Sequence, residues 1–367
     1  MHQVERAIFD LRRGLPVVIV DEAIRTLVYP VEGIRDRVLQ EILVTAGQQP
    51  SLVLTGHRLG ALGHRVRADV ARLPLAAGVE PDARRICAQA FGQQAPSPNP
   101  FLDPRPAGPG ERSALALMRR ALLIPAALTA RIDPSRENPI DRLIDRGELL
   151  QVDAESAARC FEQAAGMLKR VSEARVPLED AEDAHFVLFR EPDGLREHVA
   201  VLIGQPDQWP RDVPVRMHSS CLTGDLFGSL RCDCGEQLRT GVGRIREMGG
   251  GVLLYLSQEG RGIGLANKLR AYALQDAGYD TVDADQILGF GQDERNYRVA
   301  VDMLAALEIR RIRLLTNNPL KIRALTEGGI QIAGRDGLYG RVNSHNRRYL
   351  SAKATRSGHL LTEVLNG

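Results

Sequence analysis

The chain of 367 residues is 44% hydrophobic and 26% charged, enough to bury two cores and too apolar for a mainly disordered protein. Its basic and acidic side chains balance, 21 against 20 in residues 1–166 and 27 against 26 in residues 167–367, so neither half has the cationic excess of a nucleic-acid binder. No run of about 18 uncharged apolar residues is present to span a membrane, and the Met-His-Gln-Val-Glu-Arg start lacks the basic-then-apolar layout of a secretory signal.

In chain order, LPVVIV (15–20) and SLVL (51–54) read as buried strands. Residues 91–112 hold six of the 20 prolines and read as a surface loop. The segments 112–130 and 140–166 read as helices. Beyond residue 166 strands and helices alternate. VAVLI (199–203), VPVRM (213–217), GVLLYL (251–256) and IRRIRLL (309–315) are predicted strands; 235–248, 265–277, 294–308 and 319–327 are predicted helices. In the third helix Tyr297, Ala300, Val301, Leu304 and Leu307 recur at helical spacing as one apolar stripe. The expectation is an α/β (α+β) protein of two domains, 1–166 and 167–367, the second with a mixed sheet and flanking helices.

Five cysteines are too few for a disulfide scaffold, and their odd number points to a reducing compartment, the cytoplasm. Cys87 and Cys160 are isolated and read as small buried hydrophobes. Cys221, Cys232 and Cys234 fall within 14 residues as Cys-x10-Cys-x-Cys. Thiolates bind zinc readily, and three protein ligands plus water is the common catalytic arrangement. The Cys-x-Cys step is too short for a zinc-ribbon knuckle. His218 is a possible fourth ligand that would close the site, and three reduced buried thiols are the alternative without metal. An open fourth position would hold a water whose pKa zinc lowers toward about 7.

Three further stretches carry polar chemistry. Strand 251–256 leads into Gly260, Arg261, Gly262 and Gly264 and then a helix, a layout that offers backbone N–H groups to an anion. It is neither a dinucleotide fingerprint, because residue 265 is Leu, nor a P-loop. Asp293 stands before the helix predicted over 294–308, where an N-cap is its ordinary role, and Arg295 would then be a cation opposing the dipole of the first turn. Thr316-Asn317-Asn318-Pro319 follows a strand and opens another helix, with Lys321 again a cation at the N-terminal end. The chain has 44 arginines and four lysines, Lys169, Lys268, Lys321 and Lys353, so a retained lysine suggests a need for a compact ammonium.

The motifs HSSCLTGDLFGSLRCDCGEQL, QEGRGIGLANKLRAYALQDAGYDTV, GFGQDER and LLTNNPLKI together resemble GTP cyclohydrolase II, the zinc enzyme that opens the guanine ring at the start of riboflavin synthesis. The likeness runs from about Met167 to RYLSAKATRSGHLL near the end. It implies one zinc per chain on Cys221, Cys232 and Cys234 with water completing the shell. It implies GTP contacts at Arg216, Met217, His218, Ser219, Ser220, Gln237, Glu259, Gly260, Arg261, Thr281, Thr316 and Lys321. The family's proton acceptor falls on Asp293, its assigned nucleophile on Arg295, and the tyrosine that steers the ring chemistry on Tyr272. One position departs: the family usually has Glu before the first cysteine, and here it is Ser220. The resemblance also implies Mg²⁺ on the triphosphate, with Arg261, Arg295 and Lys321 neutralising charge as pyrophosphate leaves, and a homodimer. Two other readings remain open at this point, a ring-opening hydrolase that keeps the triphosphate and an inactive nucleotide-binding regulator.

The first half is similar to 3,4-dihydroxy-2-butanone 4-phosphate synthase in VERAIFDLRRGLPVVIVDE (4–22). That family continues with an acidic run that holds Mg²⁺ and sugar phosphate. Here Asp21-Glu22 leads into Ala23-Ile24-Arg25-Thr26-Leu27, without the hard oxygen ligands Mg²⁺ requires. The first half is therefore expected to be a degenerate relative without that activity, with a role in packing, dimerisation or regulation.

Overall fold

A computed structural model describes residues 2–65, 68–76, 82–160, 167–343 and 346. The stretch RYLSAKATRSGHLL, the end of the predicted helix at 161–166 and Lys353 lie outside the described residues. The chain forms two compact units, residues 1–163 with 266–294, and residues 164–265 with 295–367.

The first unit carries a sheet of β1 (Val17–Asp21), β2 (Ile24–Pro30), β3 (Ser51–Thr55), β4 (Val70–Pro74), β5 (Arg105–Pro106), β6 (Ala126–Arg131) and β7 (Leu150–Asp153). They lie in the order β5-β4-β3-β6-β2-β1-β7, antiparallel except for β1 beside β7. Helix His2–Arg12 buries Val4, Ala7, Ile8 and Leu11, the stripe that a 3.6-residue repeat creates. Both predicted strands of this half are present.

Three expectations for this half need correction. The helix predicted over 112–130 is Pro109–Arg120, and residues 126–131 are strand β6. Pro125 cannot continue a helix, and AALTA is buried on both faces, so it has no alternation to mark it as a strand. The helix predicted over 140–166 is Glu137–Asp145, followed by β7 and the short helix Ala154–Ala158. The proline tract is not loop to its end. It contains β5, and Pro109 starts a helix at the one position where its missing N–H costs nothing, with Glu111 Oε2 accepting from the Gly108 N–H at 2.7 Å.

The second unit is built on β8 (Lys169–Arg175), β9 (His185–Arg190), β10 (Glu197–Ile203), β11 (Val213–Ser219), β12 (Gly251–Leu256), β13 (Arg311–Leu315) and β14 (Gln331–Asp336). Their order is β14-β13-β11-β12-β10-β9-β8: four parallel strands at one side, then an antiparallel meander. One face packs Val215, Met217, Val252 and Leu254 against Ala300, Met303 and Leu304 of helix Arg298–Ala306 and Leu325 of helix Pro319–Glu327. The other packs Val201, Ile203 and Leu253 against Val242 and Ile245 of helix Cys234–Glu247. Each fully buried aliphatic side chain contributes roughly 1.5–3 kcal/mol, so this three-layer core fixes the loops at its sheet ends firmly. Ligands of open α/β sheets bind outside the carboxyl ends of the parallel strands. The cysteine loop follows β11, the glycine turn follows β12, and Thr316–Asn318 follows β13. The fold thus matches the two-domain α/β expectation.

Candidate functional site

Alternation along β11 decides which of its residues face the core. Val215 and Met217 point into one hydrophobic layer, so Arg216 and His218 point to the opposite face. Arg216 is buried beneath helix Cys234–Glu247 and donates to Gln237 Oε1 at 2.8 Å. Burial pushes its guanidinium down to about 10, against the pull of Cys234, Asp233 and Asp225, so it remains a cation at neutral pH. His218 is buried, stacked on Tyr255 with ring centroids 5.6 Å apart, and its Nε2 lies 3.0 Å from Asp225 Oδ1. Burial holds its imidazole below the ordinary value, opposed by the hydrogen bond to Asp225. A neutral ring that donates from Nε2 leaves Nδ1 facing Arg216 Nη2, 3.5 Å away.

The sulfurs of Cys221, Cys232 and Cys234 all lie within 4.8 Å of one another, with Cys221 and Cys232 3.7 Å apart. Among the described residues no disulfide joins any of the five cysteines. Zinc–sulfur bonds of about 2.3 Å in a tetrahedron place sulfurs about 3.8 Å apart, so the donor set fits zinc. Hydrogen bonding with Cys221 and burial push the Cys232 thiol up, while Cys234 pulls it down; a divalent cation among three such sulfurs favours their ionised form. Among the described residues His218 is not grouped with the three sulfurs, and its Nε2 is engaged by Asp225.

Asp225 is the group that sequence reasoning missed. Its Oδ2 accepts from the Cys221 N–H and from the Tyr255 hydroxyl, each at 2.9 Å, so one carboxylate holds the first cysteine's backbone, Tyr255 and His218. An acid four residues after the first cysteine is the trace it leaves in the sequence, too common a spacing to be read without the fold. Glu259 similarly spends its carboxylate on the cysteine loop, Oε2 accepting from the Leu222 N–H at 2.6 Å.

Gly224 fits against the cysteines with no room to spare. A Cβ there would sit 2.7 Å from Cys232 Sγ and 3.1 Å from Cys221 Sγ. Gly224→Ala is therefore expected to displace two ligands and weaken zinc binding at least tenfold in a chelator competition, in the range seen when groups supporting metal ligands are changed. Affinity equal to the parent's would show that the three sulfurs are not the metal site.

The glycine turn has a local cause for its shape. Gly260 (φ 62°, ψ 36°) and Arg261 (φ 61°, ψ 31°) are consecutive left-handed residues. For arginine that conformation costs roughly 1–2 kcal/mol, the sort of strain kept at ligand-binding turns. Beyond β13, Thr316 Oγ1 accepts from the Asn318 N–H at 3.1 Å, and Asn318 Oδ1 caps helix Pro319–Glu327 by accepting from Leu320 N–H. Lys321 lies in that helix's first turn as expected, and its Nζ donates to the Met217 carbonyl at 2.6 Å. Met217 itself is buried, with its side chain in the core and its carbonyl engaged by Lys321. Ser219 Oγ is buried and has no hydrogen-bond partner among the described residues, whereas the Ser220 N–H donates to the Leu256 carbonyl at 2.7 Å.

The expected helix start at 294 is corrected. The helix is Arg298–Ala306 with Tyr297 at the N-cap, so Asp293 is not a cap and Arg295 is not in a first turn. Asn296 Oδ1 accepts from the Arg298 N–H, and Gln258 Nε2 donates to the Asn296 carbonyl, which holds the preceding residues out of the helix. The Arg295 guanidinium lies 5.3 Å from the Tyr297 ring centroid. Tyr272, Thr281 and Asp293 belong to the first unit. Tyr272 is half-buried on helix Leu265–Asp276 with Lys268 Nζ 5.7 Å from its ring. Thr281 opens helix Thr281–Ile287 behind Asp280, and Asp293 is half-buried in the irregular stretch after it.

Residues 169–336 match the family described as GTP cyclohydrolase II. A protein from Xylella fastidiosa named GTP cyclohydrolase-2 is 41% identical over 356 residues, covering 97% of this chain and 86% of the relative. One of the same name from Enterobacter sp. is 51% identical over 197 residues, 53% of this chain and 99% of that protein. A solved two-domain 3,4-dihydroxy-2-butanone 4-phosphate synthase from A. baumannii shares 17% identity across 92% of this chain and 99% of its own, with a TM-score of 0.35, too low to argue from. Identity of 41% along nearly the whole length, with the matched segment spanning the three clustered sulfurs, leaves one conclusion: the chain belongs to the GTP cyclohydrolase II family.

Proposed function

We propose that the protein hydrolyses GTP to a diaminopyrimidinone ribosylamino monophosphate, formate and pyrophosphate, the first step of riboflavin synthesis. The observation that carries this reading is the cluster of Cys221, Cys232 and Cys234 sulfurs, in a chain of that family. The three cysteines would hold zinc, which when bound supplies a Lewis acid and a water acidified to near neutral pH.

The chain's own residues do the rest. Asp225 and Glu259 fix the cysteine loop through the Cys221 and Leu222 amides. Arg216, His218, Ser219, Ser220 and Gln237 bind the nucleotide beside the cysteines. Thr281 and Thr316 add contacts, Tyr272 orients the ring, and Asp293 moves protons at the base. Arg261, Arg295 and Lys321, with Mg²⁺ on the triphosphate, neutralise charge as pyrophosphate leaves. Arg295 serves here as a clamp, since a guanidinium whose ordinary pKa is above about 12 is a poor nucleophile. The enzyme works as a homodimer in the cytoplasm. Mass analysis of the nucleotide product tests this: a pyrimidine with one phosphate is expected, and a ring-opened product retaining three phosphates contradicts it.

Residues 1–166 are a domain without synthase activity of their own. β1 and β2 are joined by a tight turn at Glu22-Ala23, and the residues that follow Glu22 bring no acidic run. The purified protein is expected to yield no formate from ribulose 5-phosphate and Mg²⁺; formate at a rate above the no-enzyme control would restore the activity to this half.

A further inference from the structure

The first unit contains a stretch from far along the chain, residues 266–294, which includes Tyr272, Thr281 and Asp293. The way it is fastened there is specific. Arg58 is buried, and its guanidinium donates to three backbone carbonyls: Gln89 at 2.9 Å, Ala88 at 2.8 Å and Ile287 at 3.1 Å. Ala88 and Gln89 are in the last turn of helix Ala83–Phe91, and Ile287 ends helix Thr281–Ile287. A cation between two helix C-termini meets the carbonyls gathered there; Ala88 also accepts from the Gly92 N–H at 3.0 Å, and Arg58 adds a second donor to it. Beside it the buried Thr55 hydroxyl donates to the Gly289 carbonyl at 2.8 Å. Gly289 is pressed so closely that a Cβ would lie 3.1 Å from Pro125 Cγ and 3.2 Å from Thr55 Oγ1. Phe290, next along, is fully buried.

Two more fastenings hold the N-terminal part of the stretch. Asn267 Nδ2 donates to the Leu122 carbonyl at 3.1 Å. Arg270 Nη2 donates to Glu32 Oε2 at 2.9 Å, while Glu32 Oε1 accepts from the Ile124 N–H at 2.6 Å. A buried arginine is costly to desolvate, and here its donors are spent on main-chain carbonyls rather than on a carboxylate. Fixing the path of two segments is what such an arrangement achieves. It lies in a half that lacks an acidic run after Glu22.

We infer that residues 1–163 act as a positioning scaffold for the 266–294 segment, with Arg58 as the clamp and Glu32 as a second anchor. This rests on the proposed GTP chemistry, in which that segment supplies Tyr272, Thr281 and Asp293. The degenerate half then contributes to turnover of GTP without touching it.

The test measures amide hydrogen exchange, zinc content and formate release in the full chain. Arg58→Met is expected to speed exchange across 281–290 at least tenfold and to lower kcat at least tenfold, at unchanged zinc per chain and unchanged exchange in β10–β13. Arg58→Lys, which keeps a donor, should recover part of both. Glu32→Gln keeps an acceptor for Ile124 and removes the charge facing Arg270. It should move the same two readouts by about two- to fivefold, and it decides the matter if Arg58→Met does not fold. Loss of protection spread evenly over residues 1–163 would make Arg58 a general stabiliser and overturn the proposal. So would kcat within twofold of the parent with exchange at 281–290 unchanged. If the parent releases no formate, the functional reading falls, and exchange at 281–290 alone decides the clamp.

Discussion

Cys234→Ser is expected to lose zinc and to reduce formate release from GTP to background, a fall of at least about 1,000-fold. The three sulfurs form one ligand set, and a serine hydroxyl stays protonated at neutral pH and is a harder, weaker donor than thiolate. Two cysteines remain, too few to hold the ion against competing thiols and chelators. The loss is therefore of the site's chemistry and not of one contact. The fold should survive, because Cys234 opens a helix whose anchors to the sheet, Val242 and Ile245, lie two turns further on. Pyrophosphate release should fall less than formate release, since phosphate chemistry assisted by Mg²⁺ does not use the cysteines. One zinc retained per chain with formate release unchanged would remove Cys234 from the site.

Arg295→Ala should show the opposite bias. Arg295 is outside the helix that follows it, with its guanidinium 5.3 Å from the Tyr297 ring, and Tyr297 is also 5.9 Å from Lys321 Nζ. The two cations thus share one aromatic neighbour, a placement that suits a polyanion. Losing one charged contact that forms in the transition state costs about 2–4 kcal/mol, or roughly 30- to 1,000-fold in rate. Pyrophosphate release should fall at least as far as formate release, with zinc content unchanged. Activity within twofold of the parent and unchanged affinity for GTP would make Arg295 a solvated loop residue.

What the sequence made legible follows from where its signals are local. The strands of the second unit could be read because GVLLYL is an apolar run opened by glycine and VPVRM is a short, mainly apolar segment, and helix Arg298–Ala306 because its apolar stripe repeats every three to four residues. Cys-x10-Cys-x-Cys could be read as a candidate metal site for a similar reason: the donors are few, unusual and close in the chain, and their sulfurs do cluster. Strand β6 was hidden because AALTA is buried on both faces and carries no period. The start of helix Arg298–Ala306 was misplaced because a long-range bond from Gln258 to Asn296 fixes it, overriding the capping logic that Asp293 suggested. Asp225 was invisible because its three partners are at residues 218, 221 and 255, and no spacing within the chain expresses a carboxylate shared between strand ends. The grip of Arg58 on Ile287 crosses 229 residues and is legible in the fold alone.

The measurement that bears most directly on the account is the stoichiometry of turnover. Purified protein loaded with zinc is incubated with GTP and Mg²⁺, and formate and pyrophosphate are quantified in the same samples. One formate and one pyrophosphate per GTP consumed, with formate release abolished by removing zinc, pyrophosphate release lowered less, and both restored by adding it back, is the result expected of a zinc-dependent GTP cyclohydrolase II. GTP left intact by zinc-loaded protein, or formate released without pyrophosphate, would contradict it.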